Sequence, residues 1–72
     1  MDEQILKNFG LNFKIERIKL GLTQDAVSEM TDFSNPYISN VEKGKHNISL
    51  VNALKFAKIV NKTVEELIVD VD

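Results

Sequence analysis

The sequence predicts an all-α protein, a compact bundle of five helices, on three observations. Apolar residues recur at helical spacing along most of its 72 residues. Each apolar stretch from the second onward is preceded by a Ser or Thr able to cap a helix: Thr23, Ser34, Ser49 and Thr63. No stretch shows the alternation, turn pairs or β-branched clustering of a strand, and the intervening loops are a few residues each. Short helices with short connections suit an orthogonal bundle around one core.

The first helix should run from about residue 5 to 20, with Phe9, Phe13 and Leu20 on one face, Ile18 near its edge and Gly21 as its stop. The second begins near Gln24, capped by Thr23, with Asp25 in the first turn where the helix dipole favours an anion. From Gln24 onward the spacing fits two short helices crossing through a tight turn, a helix-turn-helix. Counting Gln24 as the first position, that motif needs apolar residues at places four, eight, ten, fifteen and eighteen. The chain supplies Val27, Thr31, Phe33, Ile38 and Val41, four of the five apolar. Ser28 is small enough for close helix approach, and Asp32 falls where the turn usually places a left-handed Gly, a conformation Asp tolerates. Ser34 caps the third helix, Pro36 fits its first turn because the N–H it lacks would have had no partner there, and Gly44 ends it. After the loop GKHNIS, Ser49 caps a fourth helix with Leu50, Ala53, Leu54, Ala57 and Val60 as its inner stripe. Thr63 and Glu66 have the spacing of a capping box, so a short fifth helix should carry Val64, Leu67 and Ile68 as far as Asp70.

A chain of 72 residues sits near the lower limit for a self-sufficient core, so residues 1–72 read as a single domain to whose stability partner subunits would add. It lacks both a run long enough to span a membrane and the basic, then apolar, start of a secretory signal; the expected location is the cytoplasm. With no Cys and one His, neither disulfides nor a zinc site is expected, and no cofactor, metal or small-molecule ligand is evident. The net charge of −2 argues against simple adhesion to nucleic acid, but the charges are segregated. Asp2 and Glu3 lie at one end and Glu65, Glu66, Asp70 and Asp72 at the other. Residues 7 to 62 hold all nine basic side chains against five acidic ones, a net of +4 available to phosphates.

Three pieces of sequence, RIKLGLTQ at 17–24, YISNVEKG at 37–44 and NISL at 47–50, together resemble the lambdoid phage repressor and Cro family, also called the XRE family. The likeness covers about residues 9 to 69, and the combination of YIS, E-x-G and NISL is similar to the controller proteins of restriction-modification systems. It implies a lambda-repressor-like bundle that binds DNA as a dimer. Thr31 and Asp32 in the turn, Asn40 in place of a longer polar or basic side chain, and Glu16 at an often apolar place depart from the family pattern. They bear on the operator sequence more than on the fold.

In a helix-turn-helix the second helix enters the major groove with its N-terminal residues at the base edges. Asn35, Pro36, Ser39 and Asn40 then face the bases: Asn can bond adenine N6 and N7 together, Ser can donate or accept, and Pro can touch a thymine methyl. Without an Arg to seize guanine, some A·T preference and a large share of shape readout are expected. The resemblance assigns Gln24 to a phosphate clamp. Lys43, Lys45, His46 and Asn47 border the following loop and could hold a second stretch of phosphates, and Tyr37 could either pack its ring on the scaffold or offer its hydroxyl to a phosphate. Lys14 and Lys19 read as solvated outer residues. The resemblance also makes Arg17 and Glu42 an internal ion pair. Val60, Val64, Leu67, Ile68, Val69 and Val71 form a C-terminal apolar concentration that a two-fold dimer contact would explain.

Catalysis lacks its inventory: the single His is in a loop, there is no Gly-rich phosphate loop, and the adjacent Glu65 and Glu66 point in different directions on a helix. The expected function is a sequence-specific, dimeric DNA-binding regulator of transcription whose partner is double-stranded DNA. The rival is a protein-interaction module, such as an antitoxin, using its acidic, apolar C-terminal end. The two separate on the salt dependence of DNA affinity.

Overall fold

The computed structural model describes residues 2–71, so Asp72, counted among the acidic ends, lies outside the described residues. Five helices follow in order: α1 Glu3–Lys19, α2 Gln24–Met30, α3 Asn35–Glu42, α4 Leu50–Ile59 and α5 Val64–Leu67, with no strand among the described residues. Each start has a physical cause. The side chains of Asp2, Thr23, Ser34, Ser49 and Thr63 each accept a backbone N–H from the first turn, and Thr63 and Glu66 complete the reciprocal capping box. The Asp2 cap lengthens α1 by two residues beyond the expected start. Gly21 and Gly44, both at φ 72°, let the chain leave α1 and α3 in the left-handed conformation that L side chains avoid.

The core gathers around Phe56. Its ring stacks on Phe33 at 4.7 Å and meets Phe13 edge-on at 4.8 Å and Phe9 at 6.3 Å. Val27, Ile38, Ala53 and Leu67 close the space around these rings. In α1 the buried stripe is Phe9, Phe13 and Arg17, spaced four apart, whereas Leu20 and Ile18 are exposed. The expected place of Leu20 in that stripe is therefore corrected: α1 has ended by Leu20, and Leu22, beyond the glycine, packs against the core instead. In α4 the inner stripe is Ala53, Phe56, Ala57 and Val60, while Leu50 and Leu54 point outward. Both sets have helical spacing, and the helix rotates to bury the larger aromatic ring.

The turn between α2 and α3 also differs from expectation. Asp32 is not left-handed; Asn61, at φ 56°, is the single non-glycine among the described residues with positive φ. Thr31 leaves α2 in extended backbone, its hydroxyl donating to the Val27 carbonyl and accepting from the Phe33 N–H. Ser28 adds a hydroxyl bond to the Phe33 carbonyl at 2.8 Å. Two side-chain hydroxyls thus brace the turn where a left-handed residue would otherwise shape it, and Thr31 serves as a turn ligand in place of an apolar core residue.

Gly10 sets how closely α1 and α3 approach. A Cβ there would collide with the carbonyl oxygens of Val41 and Glu42, so only glycine permits this backbone contact. The C-terminal end is tied to α1 by two amides: Asn8 donates to the Ile68 carbonyl and the Asp70 carboxylate, and Asn12 to the Leu67 and Val69 carbonyls. No helix among the described residues is long and apolar enough to cross a membrane.

Candidate nucleic-acid interface

α3 is held by a charged network at its C-terminal end. Arg17 grips the Glu42 carboxylate with two nitrogens, at 2.7 and 3.1 Å, and gives a third bond to the Leu22 carbonyl at 2.8 Å. Both residues are buried, and the fork geometry satisfies both carboxylate oxygens, the condition under which a desolvated pair holds position without leaving a charge stranded. The expected ion pair is present. Gln24 joins it, its amide donating to Glu42 Oε1 at 3.1 Å, so the first residue of α2 is fastened to the last residue of α3. One of the two amide N–H groups expected to clamp a phosphate is therefore engaged within the protein, leaving the second to donate to one.

The sequence-predicted base readers run along α3, Asn35 and Pro36 at its N-terminal end and Ser39 and Asn40 toward the anchored end. Asn35 and Pro36 are exposed, while Ser39 and Asn40 are half-buried. Asn35 is engaged as well, donating to Asp25 of α2 at 2.6 Å. Ser34 caps the helix through the Tyr37 N–H, and the Tyr37 ring packs between Phe33 and His46, with Phe56 beyond. Its hydroxyl accepts from the Asn52 amide at 3.0 Å. Of the two expectations for Tyr37, the ring therefore takes the scaffold role, and the hydroxyl keeps its own hydrogen to donate. Asp32, Phe33, Ser34, Tyr37, Asn52 and Lys55 line a shallow cleft of about 410 Å³ beside this end of α3.

Lys43 and Lys45 are exposed beyond the C-terminal end of α3 and line a second open cleft, of about 630 Å³, with Asn47, Gly44, Leu6, Glu3 and Lys7. Lys7 was not legible as a partner of these lysines. It reaches them because Gly44 rests against its backbone, where a Cβ would come within 2.8 Å of the Lys7 Cα. No local signal links positions so far apart in sequence. Glu3 pairs with Lys7 at 3.4 Å and offsets part of the positive charge.

The C-terminal apolar residues divide. Val60 and Leu67 are buried in the chain's own core, and Val64 and Ile68 pack partly against it. Val60 and Leu67 are therefore corrected from contact residues to core residues, since their surface is already removed from water. Val69 and Val71 stay exposed, and the larger exposed apolar group lies on α4: Leu50, Val51 and Leu54, at 67%, 62% and 50% of full exposure.

The helix-turn-helix family matches residues 13–67, from the middle of α1 to the end of α5. The chain belongs to the XRE-type helix-turn-helix family. This helix-turn-helix protein is 34% identical over 59 residues to control protein C.MunI of Mycoplasma sp, covering 82% of this chain and 80% of that one. It is 32% identical over 66 residues to the HTH-type transcriptional regulator y4dJ of Sinorhizobium fredii, covering 92% and 86% of the two chains. Its fold superposes on the crystal structure of the restriction-modification controller protein C.AhdI from Aeromonas hydrophila with a TM-score of 0.77 at 34% identity, covering 86% of this chain and 94% of that one. These relatives are regulators of transcription or controller proteins, and the shared region includes every residue of α2 and α3 described above.

Proposed function

We propose that this chain is a DNA-binding regulator of transcription in the cytoplasm, working as one helix-turn-helix domain that occupies a roughly palindromic operator as a homodimer. The observation that carries the reading is the rigid mounting of α3: Asn35 and Pro36 at its N-terminal end are open to solvent, while its C-terminal end is anchored by the Arg17–Glu42–Gln24 network. A helix that must fit a groove to within a fraction of an ångström needs such an anchor. Asn35, Pro36, Ser39 and Asn40 read base edges, and Gln24, Tyr37, Lys43, Lys45, His46 and Asn47 hold phosphates, with Lys7 added to the lysine group.

Leu50, Val51 and Leu54 support self-association. Three large apolar side chains within the first two turns of one helix are costly to leave in water, and a two-fold contact through α4, extended by Val69 and Val71, would cover them. Paired protomers would set two recognition helices roughly 34 Å apart. Relatives named as controller proteins support the regulatory part of the reading.

Selecting bound duplexes from a random pool at near-physiological salt tests it. Enrichment of a two-fold symmetric site with half-sites about one helical turn apart is the expected result. Absence of enrichment by the folded protein would favour a protein-interaction role.

A further inference from the structure

Asp25, in the first turn of α2, accepts a hydrogen bond from the Asn35 amide at the start of α3, at 2.6 Å. Both side chains are exposed and belong to different helices, so the crossing of α2 and α3 brings them together. The contact has a direction. A carboxylate only accepts, and an amide has a donor end and an acceptor end, so Asn35 must turn its nitrogen toward Asp25. Turned round, it would set oxygen against oxygen. The Asn35 Oδ1 is thereby held away from Asp25, with the second N–H of the amide still available.

We infer that Asp25 is a specificity-determining positioning residue: by fixing the Asn35 amide it makes α3 favour a base edge that offers a hydrogen-bond donor. The inference rests on the proposed role of α3 as the base-reading helix. In the major groove adenine offers its N6 amino group beside the N7 acceptor, and cytosine offers N4, whereas guanine and thymine present acceptors. With one N–H held by Asp25, the oxygen and the second N–H remain for a base edge. Together they match adenine N6 and N7, the oxygen alone accepts from cytosine N4, and guanine or thymine can take the N–H only with the oxygen left facing an acceptor. Asp25 also has a cost. An anion on the DNA-facing side lowers affinity for every duplex, which is the signature of a group that gives discrimination at the expense of general affinity.

The test selects duplexes from a random pool with the full chain and with Asp25→Ala, Asp25→Asn, Asn35→Ala and the Asp25→Ala/Asn35→Ala double variant, helical content being checked by circular dichroism. The wild-type chain should favour adenine or cytosine over guanine and thymine at one position per half-site by roughly tenfold or more, and both Asp25 variants should fall below about threefold there. Asp25→Asn keeps a hydrogen-bond partner but meets Asn35 in either orientation, so it loses the direction. Both variants should bind nonspecific DNA more tightly. In the Asn35→Ala background, Asp25→Ala should change nothing at that position. An unchanged preference in Asp25→Ala or Asp25→Asn, or the same shift with and without Asn35, overturns the inference alone. A folded wild-type chain that selects no sequence overturns the DNA-reading role and the inference together.

Discussion

Arg17 and Glu42 are the costliest side chains in the molecule to bury and the ones whose placement matters most to α3. Each satisfies the other through a two-pronged contact, and Leu22 and Gln24 take up the remaining bonds. Arg17→Met would strand the Glu42 carboxylate with one amide partner and should lower stability by about 3 kcal/mol. Urea unfolding measures this, and adding Glu42→Leu should recover most of the loss, because an apolar pair removes the stranded charge. In the proposed function Gln24 and Asn40 stand for the two kinds of DNA contact. Gln24→Ala should weaken binding to all duplexes alike, whereas Asn40→Ala should relax preference at particular positions, as titration against matched and altered sites would reveal. An equal loss on every duplex for Asn40→Ala would remove it from the base-reading set.

Helix starts are decided by one or two side chains, and α5 is the clearest instance. It has one turn of its own, held at its start by the Thr63–Glu66 box. Hydrogen bonding of the Glu66 carboxylate to the Thr63 backbone N–H, and then to the Thr63 hydroxyl, holds its pKa below the ordinary carboxylate value, with Lys62 adding a smaller pull in the same direction. A carboxyl whose pKa is depressed by folding contributes stability that is present above its unfolded pKa and is lost as the pH falls through the folded one. The start of α5 should therefore loosen in acid. Protection of the Thr63 and Glu66 amides relative to their intrinsic exchange rates should fall across that window, and the Glu66→Gln variant should lose this change in protection. The α2–α3 turn follows the same logic with neutral groups, since the hydroxyls of Ser28 and Thr31 take the backbone partners that neither helix supplies.

For the whole molecule, the question is which surface a second copy would cover. The Asn8 and Asn12 amides draw residues 67–70 onto α1, and Leu67 there and Val60 at the end of α4 are both buried in the core before any partner arrives. The outer face of α4 is left with Leu50, Val51 and Leu54. Leu54→Asp would place a charge where a dimer must exclude water, and should weaken self-association by roughly tenfold or more while leaving the monomer folded. Sedimentation velocity over a concentration series reads the first effect and circular dichroism the second. An unchanged dimer would move the contact to the exposed Val69 and Val71.

The sequence by itself determined the five helices, the caps of the last four, the crossing pair at residues 24–42 and the segregation of charge, because capping and periodicity depend on neighbours a few residues apart. It could not choose between two equally periodic stripes on α4, since only the rings of Phe9 and Phe13 from α1 and of Phe33 from the α2–α3 turn make Phe56 the one to bury. Nor could it read that Thr31 would bond where an apolar residue was expected, that Gly10 sets the α1–α3 distance, that Lys7 lies beside Gly44, or that Asp25 holds Asn35. Contacts between distant segments, and the side-chain geometry within a tight turn, are set by how whole elements pack, and tertiary structure alone decides them.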